Sequence, residues 1–197
     1  MAARRARGEI DTQSEILDVA ERLVQTRGFN AFSYADVSAE LGITKPALHY
    51  HFPGKAELGE ALLARYAMRF KQALDHIDRT CSGGYRRLEA YTELYGQVLA
   101  QDRMCLCGML AADYYTLPEP MRHAVTGFFD DNELWLAAVL DDGRRDATLR
   151  FSGSSRDAAR MIIGALEGAM LVARTYGDAG RFAAAARRLL SELADPG

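Results

Sequence analysis

The segment from Phe32 to Lys55 constrains this chain more than any other. Ser33 and Asp36 stand three residues apart ahead of an apolar-periodic stretch, which is capping-box spacing. Phe32 lies just outside them, where a hydrophobic staple sits. Val37 and Leu41 are the inward positions of the short helix that follows, and Gly42 supplies a left-handed turn. Thr44 caps a second short helix, Pro46 falls in its first turn, and Pro53-Gly54 ends it. Two short helices joined by a glycine turn, the second with an exposed polar arc, suit placing that second helix in the major groove of DNA.

The rest of the chain reads as helical. Ile16, Ala20, Leu23 and Val24 share one face of a helix from about Thr12 to Arg27. A long helix starts at Lys55 and ends near Thr80, and further apolar-periodic segments follow to the end. Leu149 to Phe151 is the one short alternating candidate, inside a polar loop expected over residues 141–155. The expected fold is all-α: a three-helix head in residues 1–55, then a helical body of about six helices in residues 56–197.

Of 197 residues, 49% are hydrophobic, enough to bury a core in both parts. Residues 1–55 carry as many anions as cations, so the whole net charge of −3 falls in the body. DNA binding must therefore rest on local geometry, not on a global field. The longest apolar run, Met161 to Ala173, is broken by Glu167 and is too short to span a bilayer. No apolar segment follows Arg4, Arg5 and Arg7, and three cysteines without an export signal point to reduced thiols in a cytoplasm. Those arginines suit either a minor-groove arm or a solvated basic tail.

On a helical wheel Lys45, Pro46, His49 and Tyr50 form one arc, with Ala47 at its edge and Leu48 across from it. Lys45 and His49 offer donors to base edges or phosphates, and Pro46 and Ala47 suit thymine methyls. Ser33, Tyr34, Tyr50 and Lys55 suit phosphates on either side, and Thr44 stands at the helix start. The pattern Ala39, Leu41-Gly42-Ile43-Thr44-Lys45, Leu48, His51-Phe52, Lys55 and Leu58 resembles the DNA-binding head of the TetR family of bacterial transcriptional regulators. That resemblance implies a homodimeric repressor on a palindromic operator, released by a small-molecule inducer; a DNA-binding protein without ligand, its body filled by side chains, is an alternative. It puts Lys45, Pro46, Ala47, His49 and Tyr50 at the major groove, and Ser33, Tyr34 and Lys55 on phosphates. It puts His51 inside the head. His49 departs from the tyrosine more usual at its position, and Ala35 stands where some members place an arginine.

In the body, Gly164, Ala165, Gly168 and Ala169 make a small-residue strip suited to close helix approach, with Phe182, Leu189 and Leu190 on the next helix. The resemblance implies a dimer interface there, although such a strip also fits a helix into its own core. Met104, Cys105, Met109, Tyr114, Phe128, Phe129, Trp135, Met161 and Met170 suit an apolar ligand pocket as well as an ordinary core. Cys105 and Cys107 also admit a repressor that senses oxidants or electrophiles, and the resemblance extends to a subgroup in which a cysteine near here does so. Two cysteines are too few for a structural zinc site, so no metal and no cofactor are expected. The absence of catalytic motifs leaves no enzyme reading and no catalytic residue.

Overall fold

The computed structural model describes the backbone of residues 2–194 and the side chains of residues 12–194, so the side chains of Arg4, Arg5 and Arg7 lie outside the described set. Nine α-helices follow one another among the described residues: α1 (Ala2–Arg27), α2 (Tyr34–Leu41), α3 (Lys45–His51), α4 (Lys55–Thr80), α5 (Gly84–Leu99), α6 (Leu106–Ala112), α7 (Glu119–Arg145), α8 (Ser155–Thr175) and α9 (Ala179–Leu193). A 3-10 turn at Tyr114–Thr116 separates α6 from α7. The chain divides into two compact units. The first holds residues up to 67 together with 106–125, and the second holds 68–105 together with those from 126 on.

In the first unit, Ile16, Ala20, Leu23 and Val24 of α1 are buried, as their spacing requires. The same core takes Val37 of α2, Leu48 of α3, Leu58 and Leu62 of α4, and Leu106 and Leu110 of α6. Arg22 pairs with Glu40 to tie α1 to α2. Arg65 on α4 reaches Asp18 at 2.8 Å and Glu21 at 3.0 Å on α1. A Cβ at Gly59 would lie 2.6 Å from Met121 Sδ and 2.9 Å from Phe29 Cε2, so only glycine lets these two side chains press on α4.

The connection from α1 to α2 is held by a carboxylate from outside the head sequence. Gly28 ends α1 with φ at +92°. Asp113 Oδ2 then accepts from the backbone N–H groups of Phe29 at 2.8 Å and Asn30 at 3.3 Å, and Oδ1 accepts from Asn30 Nδ2 at 3.0 Å. Asn30 Nδ2 also donates to Thr116 Oγ1 at 2.7 Å. One side chain thus supplies the acceptors that a tight turn cannot find within itself.

In the second unit, α9 packs on α8 and α5. Gly84 at the start of α5 approaches α7 so closely that a Cβ there would sit 2.3 Å from Gly143 Cα. The first N–H groups of α5 are capped from residues 146–148: Gly84 N donates to Asp146 Oδ2 at 3.0 Å and Tyr85 N to Thr148 Oγ1 at 3.2 Å. The polar loop expected from residue 141 is shorter than read. Residues 141–145 form the last turn of α7, where Asp142 pairs with Arg87 at 2.6 Å and with Arg145. Leu149 forms an isolated antiparallel bridge with Ala194, and Arg150 N donates to Leu193 O at 2.8 Å.

Replacing Asp113 by alanine leaves the Phe29 and Asn30 donors without this acceptor. The expected loss is about 1–3 kcal/mol in the stability of the first unit, read as a lower urea midpoint, with Asp113→Asn falling between.

Candidate nucleic-acid interface

α3 has seven residues, and its geometry comes from its surroundings. Thr44 Oγ1 accepts from Ala47 N at 3.3 Å, and Pro46 occupies the first turn. Gly42, with φ at +64°, turns the chain between α2 and α3, and Ile43 N closes that turn on Ser38 O at 3.1 Å. Leu48 is fully buried, whereas Tyr50 is 72% exposed and Lys45, Pro46 and His49 are also exposed. The helix therefore presents one anchored face and one open face, as the wheel requires. His51 is half-buried and meets the Tyr50 ring edge-on at 5.3 Å.

Of the residues assigned to phosphates, Tyr50 is open, whereas Tyr34, Lys55 and Ser33 have their donors engaged within the head. Tyr34 donates its hydroxyl hydrogen to Phe52 O at 3.0 Å, and burial, with Glu57 nearby, pushes its pKa up to about 12. Lys55 donates from Nζ to Phe32 O and lies over the Phe29 and Phe32 rings, 4.7 and 4.3 Å from their centroids. Burial lowers its pKa, opposed by Asp113 and Asp36. Ser33 gives its hydroxyl and its backbone N–H to Asp36 Oδ2, at 2.6 and 2.7 Å, and those bonds hold the Asp36 pKa below the ordinary carboxylate value. Sequence spacing cannot distinguish a lysine that reaches outward from one folded back over two phenylalanines. Phe32, Ser33, Tyr34, Ala35, Lys45, His49 and Lys55 line a shallow open groove of about 440 Å³.

The body residues separate into several groups. Met104, Cys105, Phe128 and Met170 are buried in the second unit, and Phe129 and Trp135 are half-buried there. Met161 does not join them: it is 48% exposed on the outer face of α8. Met109 and Tyr114 are half-buried and belong to the first unit. The sequence reading missed a buried polar relay in the second unit. Tyr95 and Tyr91 share a hydrogen bond at 3.1 Å, Tyr91 donates to Asn132 Oδ1 at 3.2 Å, and Asn132 Nδ2 donates to Phe128 O at 2.7 Å. Tyr91 already donates to an acceptor, so the Tyr95 hydroxyl must be the donor to Tyr91. Trp135 stacks on Tyr91 at 5.5 Å and donates to Asp78 Oδ2 at 2.9 Å. Burial raises the pKa of both tyrosines and of Glu167, whose carboxyl takes a hydrogen bond from the Cys105 thiol. The single charge inside the run from Met161 to Ala173 was the visible signal for this cluster.

On α8, Gly164, Ala165 and Gly168 face outward and Ala169 is half-buried; a Cβ at either glycine would meet nothing within 4 Å. Leu171 and Val172 lie exposed along the same helix. Phe182 and Leu190 of α9 are instead core of their own protomer, at 4% and 7% exposure, with Phe182 against Gly96. They offer a partner little surface, and Leu189 is half-buried.

Residues 16–62 match the sequence model of bacterial regulatory proteins of the tetR family, and residues 84–189 match a tetracyclin repressor-like C-terminal domain. The chain is 26% identical over 152 residues to the HTH-type transcriptional activator FasR of Mycolicibacterium smegmatis, spanning 77% of this chain and 65% of that protein. It is 25% identical to the HTH-type transcriptional regulator LmrA of Bacillus subtilis, over 84% of this chain and 87% of that one. A TetR-family regulator from Agrobacterium tumefaciens superposes with a TM-score of 0.91 at 31% identity, covering 94% of this chain and 99% of the other. The reduced form of NemR from E. coli gives 0.81 at 25% identity, with the same coverage.

The two lysines of the groove separate in a salt titration on duplex DNA. Lys45→Met is expected to flatten the dependence of log affinity on log salt by up to about 0.9, as for one cation brought against the duplex. Lys55→Met is expected to lower the melting temperature and leave that slope unchanged.

Proposed function

The chain belongs to the TetR family of bacterial regulatory proteins, and from that premise we propose that it represses transcription as a homodimer on a palindromic operator until a small-molecule inducer binds. It is a transcriptional regulator with a helix-turn-helix, not an enzyme. The open face of α3 carries this reading: Lys45, Pro46, Ala47, His49 and Tyr50 surround a fully buried Leu48, so base edges can be met without disturbing the core. Residues 1–55 read DNA in this proposal, residues 56–197 hold the inducer and the partner protomer, and the protein works in the cytoplasm. Mobility shift with duplexes from the gene's own upstream region tests it, and a reporter fused to that region fixes the sign, since the FasR relative is named an activator.

Dimer formation is proposed through the outer face of α8. Gly164, Ala165 and Gly168, flanked by Met161, Leu171 and Val172, leave an apolar strip without side-chain bulk. A partner helix gains close backbone approach there, and a pair of heads reads two half-sites where one makes too few contacts.

The inducer is proposed to bind in the second unit, among Met104, Phe128, Phe129, Trp135 and Met170, next to the Tyr91–Tyr95 relay. Binding acts on α4, which begins at Lys55 in the first unit and ends at Thr80 in the second. A difference of roughly 1–3 kcal/mol between the free and bound arrangements changes operator affinity about 5–150-fold. Trp135 is the sole tryptophan, so quenching of its fluorescence reports occupancy directly.

Burial argues against thiol sensing. Cys105 and Cys107 stand at the N-terminus of α6, which favours a thiolate, but both are buried, and Cys105 faces the Glu167 carboxyl, which opposes one. Iodoacetamide is expected to label both only after unfolding, by mass spectrometry; native labelling of Cys105 with loss of DNA binding would restore the sensor reading. Gly168→Glu is expected to give a folded monomer by light scattering and circular dichroism, with operator affinity lost. A dimer that survives both this change and Gly164→Glu removes α8 from the interface.

A further inference from the structure

We propose that His49 reads DNA as a hydrogen-bond acceptor and thereby selects a base carrying an exocyclic amino group, adenine or cytosine, in each half-site. The inference rests on the reading of α3 as the DNA-contacting helix and goes one step further, to what one atom of it recognises.

His49 Nδ1 lies 3.0 Å from Pro53 O. A carbonyl oxygen can only accept, so Nδ1 carries the hydrogen. In the neutral imidazole the other nitrogen, Nε2, then has a lone pair and no hydrogen. The ring is held from a second side by Tyr34, 4.8 Å away and tilted by 48°, and Tyr34 is itself fixed by its bond to Phe52 O. An exposed histidine normally turns its ring and exchanges tautomers to suit its partner. This one is latched to the turn that ends its own helix. In the major groove, guanine and thymine present acceptors, whereas adenine N6 and cytosine N4 are the donors. An acceptor-only Nε2 is matched by the second pair. Lys45, one helical turn earlier in the same groove, is donor-only and matches the first. The two side chains form a donor and acceptor pair along the helix, and a tyrosine at position 49 would not impose this polarity, because its hydroxyl does both.

The test is selection from randomised duplexes with the full-length dimer at about pH 8, where an imidazole is neutral, using wild type, His49→Ala and His49→Arg. Alanine offers neither donor nor acceptor; arginine offers donors alone. One position of each half-site is expected to be adenine or cytosine for wild type, to lose that preference for His49→Ala, and to be guanine or thymine for His49→Arg. Removing only the amino group of the selected base (purine for adenine, pyrimidin-2-one for cytosine) is expected to weaken wild type roughly 3- to 10-fold, as for one neutral hydrogen bond, and to leave His49→Ala unaffected. Guanine or thymine at the wild-type position, or identical preferences for all three proteins, overturns the inference. If none of the three, folded and dimeric, selects any sequence, α3 is not the reading helix, and the proposed function falls along with this inference.

Discussion

A helix of seven residues does not form by itself in water, because nucleation costs more than so few hydrogen bonds return. α3 is such a helix, and most of the first unit is organised to supply what it lacks. Thr44 caps its start, and Leu48 ties its inner face to the core. At its end, the carbonyls of Phe52 and Pro53 take bonds from Tyr34 and His49. Those two side chains look like DNA contacts when read along the sequence. In the structure they finish α3.

The dependence continues outward from α3. Tyr34 is held at the start of α2 by the Ser33–Asp36 box, and the preceding loop is held by Lys55 on one side and Asp113 on the other. Lys55 opens α4, and Asp113 follows α6. Both belong to stretches of chain that run on into the second unit, through α4 in one case and α7 in the other. In the proposed mechanism, a ligand that moves either stretch would act on the loop ahead of α2 through short, directional bonds. Coupling of that kind requires no diffuse strain, only two elements with more than one arrangement.

Local signals were legible in the sequence, and distant ones were not. The glycine turn at Gly42, the Thr44 cap, the buried positions of α1 and the run of helices to the end all follow from spacing and turn chemistry. Asp113 was invisible as a partner of Asn30, because nothing local links residues so far apart. The inward course of Lys55 is hidden for the same reason: a flexible cation beside two phenylalanines has no fixed direction until both rings are placed. In α9, the spacing of Phe182 and Leu190 suits a partner protomer and the chain's own core equally well, and they are buried in the latter. Tyr91 and Tyr95 fall at helical spacing in α5, and only Asn132, 41 residues after Tyr91, shows that their hydroxyls form a relay.

The outer face of α8 is where the folded chain departs furthest from what a lone protomer needs. Glycine inside a helix is about 1 kcal/mol less favourable than alanine. The usual compensation is room for a close neighbour, as at Gly59 and Gly84, where a Cβ would collide with Met121 or with Gly143. Gly164 and Gly168 have no such neighbour among the described residues, and Leu171 and Val172 stand exposed along the same helix. Helix-weakening residues on an apolar, uncovered strip bring the protomer no packing advantage. They make physical sense in the proposed dimer, in which a second α8 lies across them.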